Sequence, residues 1–383
     1  MAKASKLKVA LVLDDGLDKP DGVQQYILSV GSWLTSRGHE VHYLVGQTSR
    51  TDIANVHSLS RNVRVSSNGN RLTIPLPTSR RKLRQILRSQ QFDVLHVQTP
   101  YSPFMGGRLV ALAGPRTAVV GTFHILPNSP LYSLGNWLLG LWCRRTLKRF
   151  DAMLSVSSAA AQFALKTFRV RSEISPNVID YDRFKEAQPL PQYDDDRLTI
   201  LFLGRLVPRK GCQVLLEALA ILKGRTDLPK FRLVICGHGP LENQLRRIVQ
   251  KHGLNDMVEF AGFVGEEAKT RYYASADIAV FPSSGGESFG IVLIEAMAGG
   301  HAAVLAGNNP GYASVMAPQP DLLFDPRDAV VLADRLAQYL LNSKQREQMA
   351  AWGKGYARQF DINVVGPKLV DVYNKALRKR SGQ

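Results

Sequence analysis

No run of about 18 apolar residues occurs in this 383-residue chain, which excludes a helix that spans a membrane. The nearest approach, residues 131–143, is too short and carries Asn136. The polar start, Met1 to Lys8, leads straight into apolar residues 9–13 with no hydrophobic leader or cleavage pattern, so export is not expected. Cysteine is scarce: Cys143, Cys212 and Cys236 stand apart, odd in number and without metal-ligand spacing. That usage suits a reducing compartment and buried apolar roles. Between the first expected strand and helix, Asp14 to Gly22 holds no Gly-x-Gly-x-x-Gly, and Gly237-His238-Gly239-Pro240 is too short a match and runs into proline. A nicotinamide dehydrogenase is thereby excluded. There is no nucleic-acid-binding module, no short repeat and no low-complexity tract, so nucleic acid is not an expected partner.

Acid is short as well: 32 Asp and Glu stand against 49 Lys and Arg, a formal charge of +17. Such a chain is drawn to polyanions, whether nucleotides, anionic lipid surfaces or nucleic acid. At 45% hydrophobic content the chain is long enough to bury two separate cores.

What is present is an alternation of short Val, Ile and Leu runs with longer helical patterns, the mark of parallel sheets covered on both faces. Strands are expected at Lys8–Leu13, 40–44, 93–97, Ala118–Phe123 and 152–156. Residues 189–197, rich in Pro and acid and without apolar period, read as the boundary before a fresh strand at Leu198–Leu203. Further strands follow at Phe231–Cys236, 258–260, Ile278–Phe281 and 303–305. The class is α/β, with two Rossmann-like doubly wound domains over 1–188 and 197–361; the helical stretch from residue 362 can pack on either.

In doubly wound sheets ligands bind beyond the carboxyl ends of the strands. After Leu198–Leu203, the loop Gly204 to Gly211 sets Arg205 and Lys210 where a pyrophosphate can be held and stabilised as a leaving group; an incidentally basic surface loop is the other reading. After Ile278–Phe281, glycines let backbone approach a ligand, and Phe289, Gly290 and Ile291 open a helix whose free N–H groups suit phosphate. Glu295, about two turns on, can accept from ribose hydroxyls. Glu287 at the helix mouth would face the sugar, or it caps the helix. Gly22 opens another helix to phosphate, and His124 ends a strand where it can touch the reacting sugar or serve the core.

Glu287-Ser288-Phe289-Gly290 through Glu295-Ala296-Met297-Ala298, with Gly204-Arg205 and Lys210-Gly211, resembles family 4 of the retaining glycosyltransferases. The resemblance covers nearly the whole chain and takes in Asp21-Gly22-Val23-Gln24, Thr122-Phe123-His124, Pro176-Asn177 with Asp180, and Gly237-His238-Gly239-Pro240. It implies a GT-B architecture, the two domains facing across a cleft. It also implies an enzyme that needs no metal: Arg205 and Lys210 take the pyrophosphate, Glu295 the ribose, Glu287 the sugar hydroxyls, and His124 contacts the reaction centre. Asp21-Gly22 stands where the family often has two glycines, and Asn177-Val178-Ile179-Asp180 where it often has Asn-Gly-Val-Asp. The acidic runs Asp14-Asp15 and Asp194-Asp195-Asp196 invite a metal-site reading, but the latter lies in the expected linker and reads as a solvated charge run, and no metal is expected.

For the acceptor, residues 79–88 read as an amphipathic helix with Leu83, Ile86 and Leu87 on one face and Arg80, Arg81, Arg84 and Arg88 beside it. It is either an interfacial helix on an anionic membrane or an ordinary crossover helix. Trp137, Leu138, Leu139, Leu141 and Trp142, followed by Arg144, Arg145, Lys148 and Arg149, tilt the reading toward lipid. The pattern is similar to the phosphatidylinositol mannosyltransferases of the same family. That implies GDP-mannose as donor, a phosphoinositide headgroup as acceptor, and a peripheral place on the inner face of the plasma membrane. Transfer from a UDP-sugar to a soluble glycan, or a silent nucleotide-sugar-binding protein, are the alternatives.

Overall fold

The computed structural model describes residues 6–18, 21–67, 70–76, 78–126 and 130–382, and the chain divides into two units. Unit 1 is Met1–Val178 with Ile362–Gln383, and unit 2 is Ile179–Asp361.

Unit 1 runs β1 (Lys8–Leu13), α1 (Gly22–Ser36), β2 (Glu40–Val45), β3 (Val56–Ser58), the strands β4 (Asn62–Ser67) and β5 (Asn70–Pro75), α2 (Arg80–Gln90), β6 (Val94–Gln98), α3 (Met105–Leu112), β7 (Ala118–Phe123), α4 (Pro130–Leu147), β8 (Ala152–Ser155), α5 (Ser158–Phe168) and β9 (Glu173–Ile174). Seven strands make one parallel sheet in the order β3-β2-β1-β6-β7-β8-β9, while β4 and β5 pair apart as an antiparallel hairpin. The central strands β1, β6 and β7 are buried along nearly their whole length because both faces are covered. Side chains alternate across β1: Val9, Leu11 and Leu13 join the core of α1, and Ala10 and Val12 join that of α2 and α3.

Unit 2 runs α6 (Tyr181–Lys185), β10 (Leu198–Leu203), α7 (Cys212–Leu222), β11 (Phe231–Cys236), α8 (Glu242–Lys251), β12 (Val258–Gly262), α9 (Glu266–Ala274), β13 (Ile278–Phe281), α10 (Ile291–Gly299), β14 (Ala303–Gly307), α11 (Pro310–Met316), β15 (Leu323–Phe324), α12 (Ala329–Leu341) and α13 (Ser343–Ala357). Its parallel sheet has the order β12-β11-β10-β13-β14-β15. The last helix, α14 (Ile362–Ser381), returns to unit 1. Its apolar face of Ile362, Val365, Leu369, Tyr373 and Ala376 packs into the core of α1 and β1. Trp33 Nε1 donates to Asn363 at 3.0 Å, and Arg380 pairs with Asp151 at 2.8 Å.

The units part at Val178 and Ile179, not in the stretch 189–197 where composition places the boundary. The segment before that stretch already belongs to unit 2: Tyr181 and Phe184 are 4% exposed, and the Tyr181 hydroxyl donates to the Lys354 carbonyl at 3.0 Å. The acidic run is solvent-exposed, as a solvated charge run should be, and carries surface ion pairs. Asp195 pairs with Arg197 at 2.9 Å and with the buried Arg232, and Asp196 pairs with Lys230 at 2.6 Å. Asp14 is spent on the fold, accepting from Gly106 N–H at 2.7 Å and from the Ser102 hydroxyl at the start of α3.

Candidate active site

Strand order reverses between β10 and β13, which are paired neighbours, so their following loops meet at the switch point of unit 2. Glycine makes the close approach possible. Gly211 has φ of 71°, and a Cβ there would lie 2.0 Å from the Pro282 carbonyl oxygen. The loops are laced together: Ser284 N–H donates to the Arg209 carbonyl at 2.9 Å, and the Ser283 hydroxyl lies 3.0 Å from the same oxygen.

Glu287 sits at the centre of this junction. Its Oε1 pairs with Arg209 and, at 2.9 Å, with Lys210 Nζ, and lies 2.9 Å from the Ser283 hydroxyl. Burial raises a carboxyl, but Lys210 and Arg209 outweigh it here and hold Glu287 below the usual carboxylate range. It is therefore a weak base and a strong hydrogen-bond acceptor. Burial, helped by Arg209 and Arg205, holds the Lys210 ammonium below its ordinary range in spite of Glu287. Three cations against one carboxylate leave the loop with surplus positive charge suited to a diphosphate. Arg209 is the residue that reading Arg205 and Lys210 as a pair missed. The signal was available, since it is a third cation in the same loop.

The helix that follows, α10, has no side-chain cap; Gly290, with φ of 105°, precedes it. Ile291 begins the helix half-buried, whereas Phe289 is buried edge-on against Phe360, ring centroids 5.6 Å apart. Glu295 points into the unit, only 3% exposed, with Lys269 Nζ at 2.6 Å and the Tyr273 hydroxyl at 3.1 Å. Burial opposes the Lys269 charge, but Glu295 and Glu266 outweigh it and hold the ammonium above its usual range. Sequence spacing did not show this anchoring; each oxygen keeps a further lone pair for a hydroxyl.

In unit 1 the order reverses between β1 and β6. Gly22 is the first residue of α1, and Lys19 and Pro20 of the loop before it lie outside the described residues. His124, just past β7, is 5% exposed and packs edge-on to Tyr26 at 4.8 Å. Gln98 Nε2 donates to the His96 carbonyl at 3.3 Å, which turns its Oε1 toward His124 Nε2 at 2.6 Å. Burial first, then His96, push the His124 imidazole down to about 3, so it is neutral, donates from Nε2 and carries its lone pair on Nδ1. Gln98, the group that sets this tautomer, carried no sequence signal.

His96 is likewise pushed down to about 3 by burial, between Tyr373 and Thr122, each at 2.7 Å. The unfolded chain takes up protons near pH 6.5 that the folded chain refuses until about pH 3, so stability is full above pH 6.5 and falls as pH drops. Each histidine contributes about 1.4 kcal/mol per pH unit, hence up to about 4 kcal/mol between pH 6.5 and 5 for the two. Burial of Asp14, which raises its carboxyl, works in the opposite sense. Urea unfolding at pH 7.5 and 5 measures it, and equal stabilities would contradict the assigned neutral pair.

Residues 20–183 match the family described as Glycosyltransferase Family 4, and residues 183–355 match Glycosyl transferases group 1. A phosphatidyl-myo-inositol mannosyltransferase of Mycobacterium tuberculosis is 32% identical, over 96% of this chain and 96% of its own. A GDP-mannose-dependent alpha-(1-6)-phosphatidylinositol monomannoside mannosyltransferase of the same organism is 28% identical, over 95% and 97%. Among solved structures, a glycosyltransferase from Rickettsia africae superposes with a TM-score of 0.77 at 18% identity, covering 97% of this chain and 99% of that one. The shared architecture is GT-B, two Rossmann-like α/β domains with parallel sheets of seven and six strands. By sequence along its whole length and by fold, this chain belongs to the family 4 glycosyltransferases.

Proposed function

We propose that this glycosyltransferase takes mannose from GDP-mannose and passes it, with retention, to a phosphatidylinositol-type headgroup on the inner face of the plasma membrane. The observation that carries the chemistry is the junction of Arg209 and Lys210 on Glu287, with the exposed Arg205 near enough to act on Lys210. As the bond from the anomeric carbon to the diphosphate breaks, negative charge grows on the leaving oxygens and positive charge on the sugar. The surplus of cations stabilises the first, and the ionised Glu287 stabilises the second while accepting from sugar hydroxyls. The new bond forms from the acceptor oxygen on the same face, and its proton passes to the departing diphosphate. With the cations supplying this charge, no divalent metal is required. Glu295 takes the ribose with its remaining lone pairs, the backbone around Phe289, Gly290 and Ile291 takes phosphate, and His124 accepts from the reacting sugar. Mannose, GDP and the lipid acceptor are supported by the names of the full-length relatives.

Gly22, at the start of α1, is assigned to the donor phosphates. A Cβ there meets nothing within 4 Å, so the fold itself does not demand glycine. Gly22→Ala is expected to keep stability within about 0.5 kcal/mol and to weaken GDP-mannose binding about fivefold by blocking phosphate approach. Calorimetric titration beside a thermal melt checks both, and unchanged affinity removes Gly22 from the donor site.

The whole reading is tested by incubating protein with phosphatidylinositol vesicles, a chelator, and either radiolabelled GDP-mannose or UDP-glucose. Label extracted into lipid from GDP-mannose alone is the expected result. Label from UDP-glucose alone, or only on added metal, contradicts the donor or the metal independence.

A further inference from the structure

Positive charge is unevenly placed along this chain: between Asp52 and Asp151 the only acid is Asp93, against fourteen Lys and Arg. Asp93 is engaged within the sheet, accepting from Lys8 N–H at 2.7 Å. The same stretch holds α2, α3 and α4, and the fold gathers them on one face of the unit 1 sheet. Leu83, Leu109 and Val110 pack with Ala10, Val12, Leu95 and Val119. Cys143 and Leu147 of α4 join the same side beside Phe123, and Arg149 donates to the Ala111 and Ala113 carbonyls at the end of α3. The opposite face is covered by α1 and α14.

The two outer helices use their apolar residues differently. Leu83 of α2 is fully buried, and Ile86 and Leu87 pack on the same core. The apolar stripe that the sequence offers to a membrane is therefore spent on the sheet, and what α2 exposes is polar: Arg80, Arg81, Arg84 and Arg88, with Lys82, Gln85 and Ser89. On α4 the apolar residues are outside: Leu138 is 55%, Leu141 52% and Trp142 72% exposed. At helical spacing these three share a stripe with the exposed Arg145, and Lys148 follows. The side chain of Trp137 lies outside the described residues. Among the described residues, Arg80, Arg81, Arg84, Arg88, Arg145 and Lys148 have no carboxylate within ion-pair distance. A solvent-facing Trp and Leu cluster edged by cations is what an anionic lipid interface selects.

We propose that α4 and α2 together form the surface that docks this protein on an anionic lipid leaflet. Helix α4 enters the boundary between headgroups and acyl chains with Leu138, Leu141 and Trp142, and α2 adds charge alone. The proposal rests on the lipid-acceptor reading above and adds which element enters the leaflet and which does not. A bilayer is the occupant favoured over a second copy of the chain, because pairing this face with itself would bring its cations together without acids to oppose them.

The test is sedimentation of the full chain with vesicles of phosphatidylcholine, alone or mixed with phosphatidylglycerol, for the unaltered protein and two variants. L138S/L141S/W142S changes only exposed side chains and should lower partitioning onto mixed vesicles about tenfold or more. R80S/R81S/R84S should lower it about 100-fold at low salt, at about fivefold for each cation, with the difference shrinking at high salt. GDP titration of each variant should match the unaltered protein, which shows the fold intact. Unchanged sedimentation of the α4 variant overturns the proposal. So does a self-associating parent that this variant converts to monomer with no change in vesicle binding. Loss of vesicle binding in the variants, with no form transferring mannose to phosphatidylinositol, supports the surface and overturns the proposed acceptor. Transfer to phosphatidylinositol with unaltered vesicle binding by the α4 variant does the reverse.

Discussion

Glu287→Gln is expected to lower kcat about 10²–10³-fold while GDP binds at least as tightly as before, a divergence that follows from the carboxylate's place among Arg209 and Lys210. Gln keeps the shape and the contact with Ser283 but cannot balance positive charge on the sugar. Removing one negative charge also raises the net positive charge of the loop, which favours the diphosphate. The variant should be less stable without nucleotide, by about 2 kcal/mol, because two half-paired cations remain in a mostly buried site. Saturating GDP should restore much of that loss. Steady-state kinetics, titration and thermal melts with and without GDP check the three parts. An unchanged kcat removes Glu287 from the chemistry and leaves it as a cap on its loop.

Lys210→Met should be more damaging still, lowering kcat/KM about 10³-fold or more. It removes a point charge both from the bound diphosphate and from the leaving group as the bond breaks. Met fills the space of the lysine stem, so the unliganded fold should be little affected by lost packing. Glu287 then retains Arg209 as its partner. The expected split is a GDP affinity lower by about tenfold and the remaining loss in kcat. A loss confined to KM would mean that Lys210 binds the donor without stabilising the departing diphosphate.

The central strands were legible because apolar residues fill both sheet faces. Lys8–Leu13, Ala118–Phe123, Leu198–Leu203, Phe231–Cys236 and Ile278–Phe281 fall where composition alone places them. The strands that escaped notice lie at or beyond the sheet edges: Val56–Ser58, Glu173–Ile174 and Leu323–Phe324 pair on one side only and have too few residues to carry a period, and Asn62–Ser67 with Asn70–Pro75 pair only with each other, outside the parallel sheet. The domain boundary was misplaced because Pro and acid mark a loop whether or not it links domains. What anchors Tyr181 and Phe184 to unit 2 is tertiary packing, which composition does not report. At the candidate site, motif spacing singled out Glu287 and Lys210, which the fold brings to 2.9 Å. It could not show that Glu295 is tied to Lys269 and Tyr273, or that Gln98 orients His124, because those partners come from distant parts of the chain. For α2, the periodicity of Leu83, Ile86 and Leu87 was read correctly as one face. A covering sheet and a lipid surface ask for the same pattern, so only the fold tells them apart.

The most direct measurement is the anomeric configuration of the lipid product made from GDP-mannose, in which the sugar is α-linked. The purified mannolipid, examined by NMR through the coupling at the anomeric carbon, should be the α-mannoside, formed in the presence of a chelator and made about 10²–10³-fold more slowly by Glu287→Gln. A β-mannoside, or free mannose with no lipid product, would contradict retaining transfer from this site to a phosphatidylinositol headgroup.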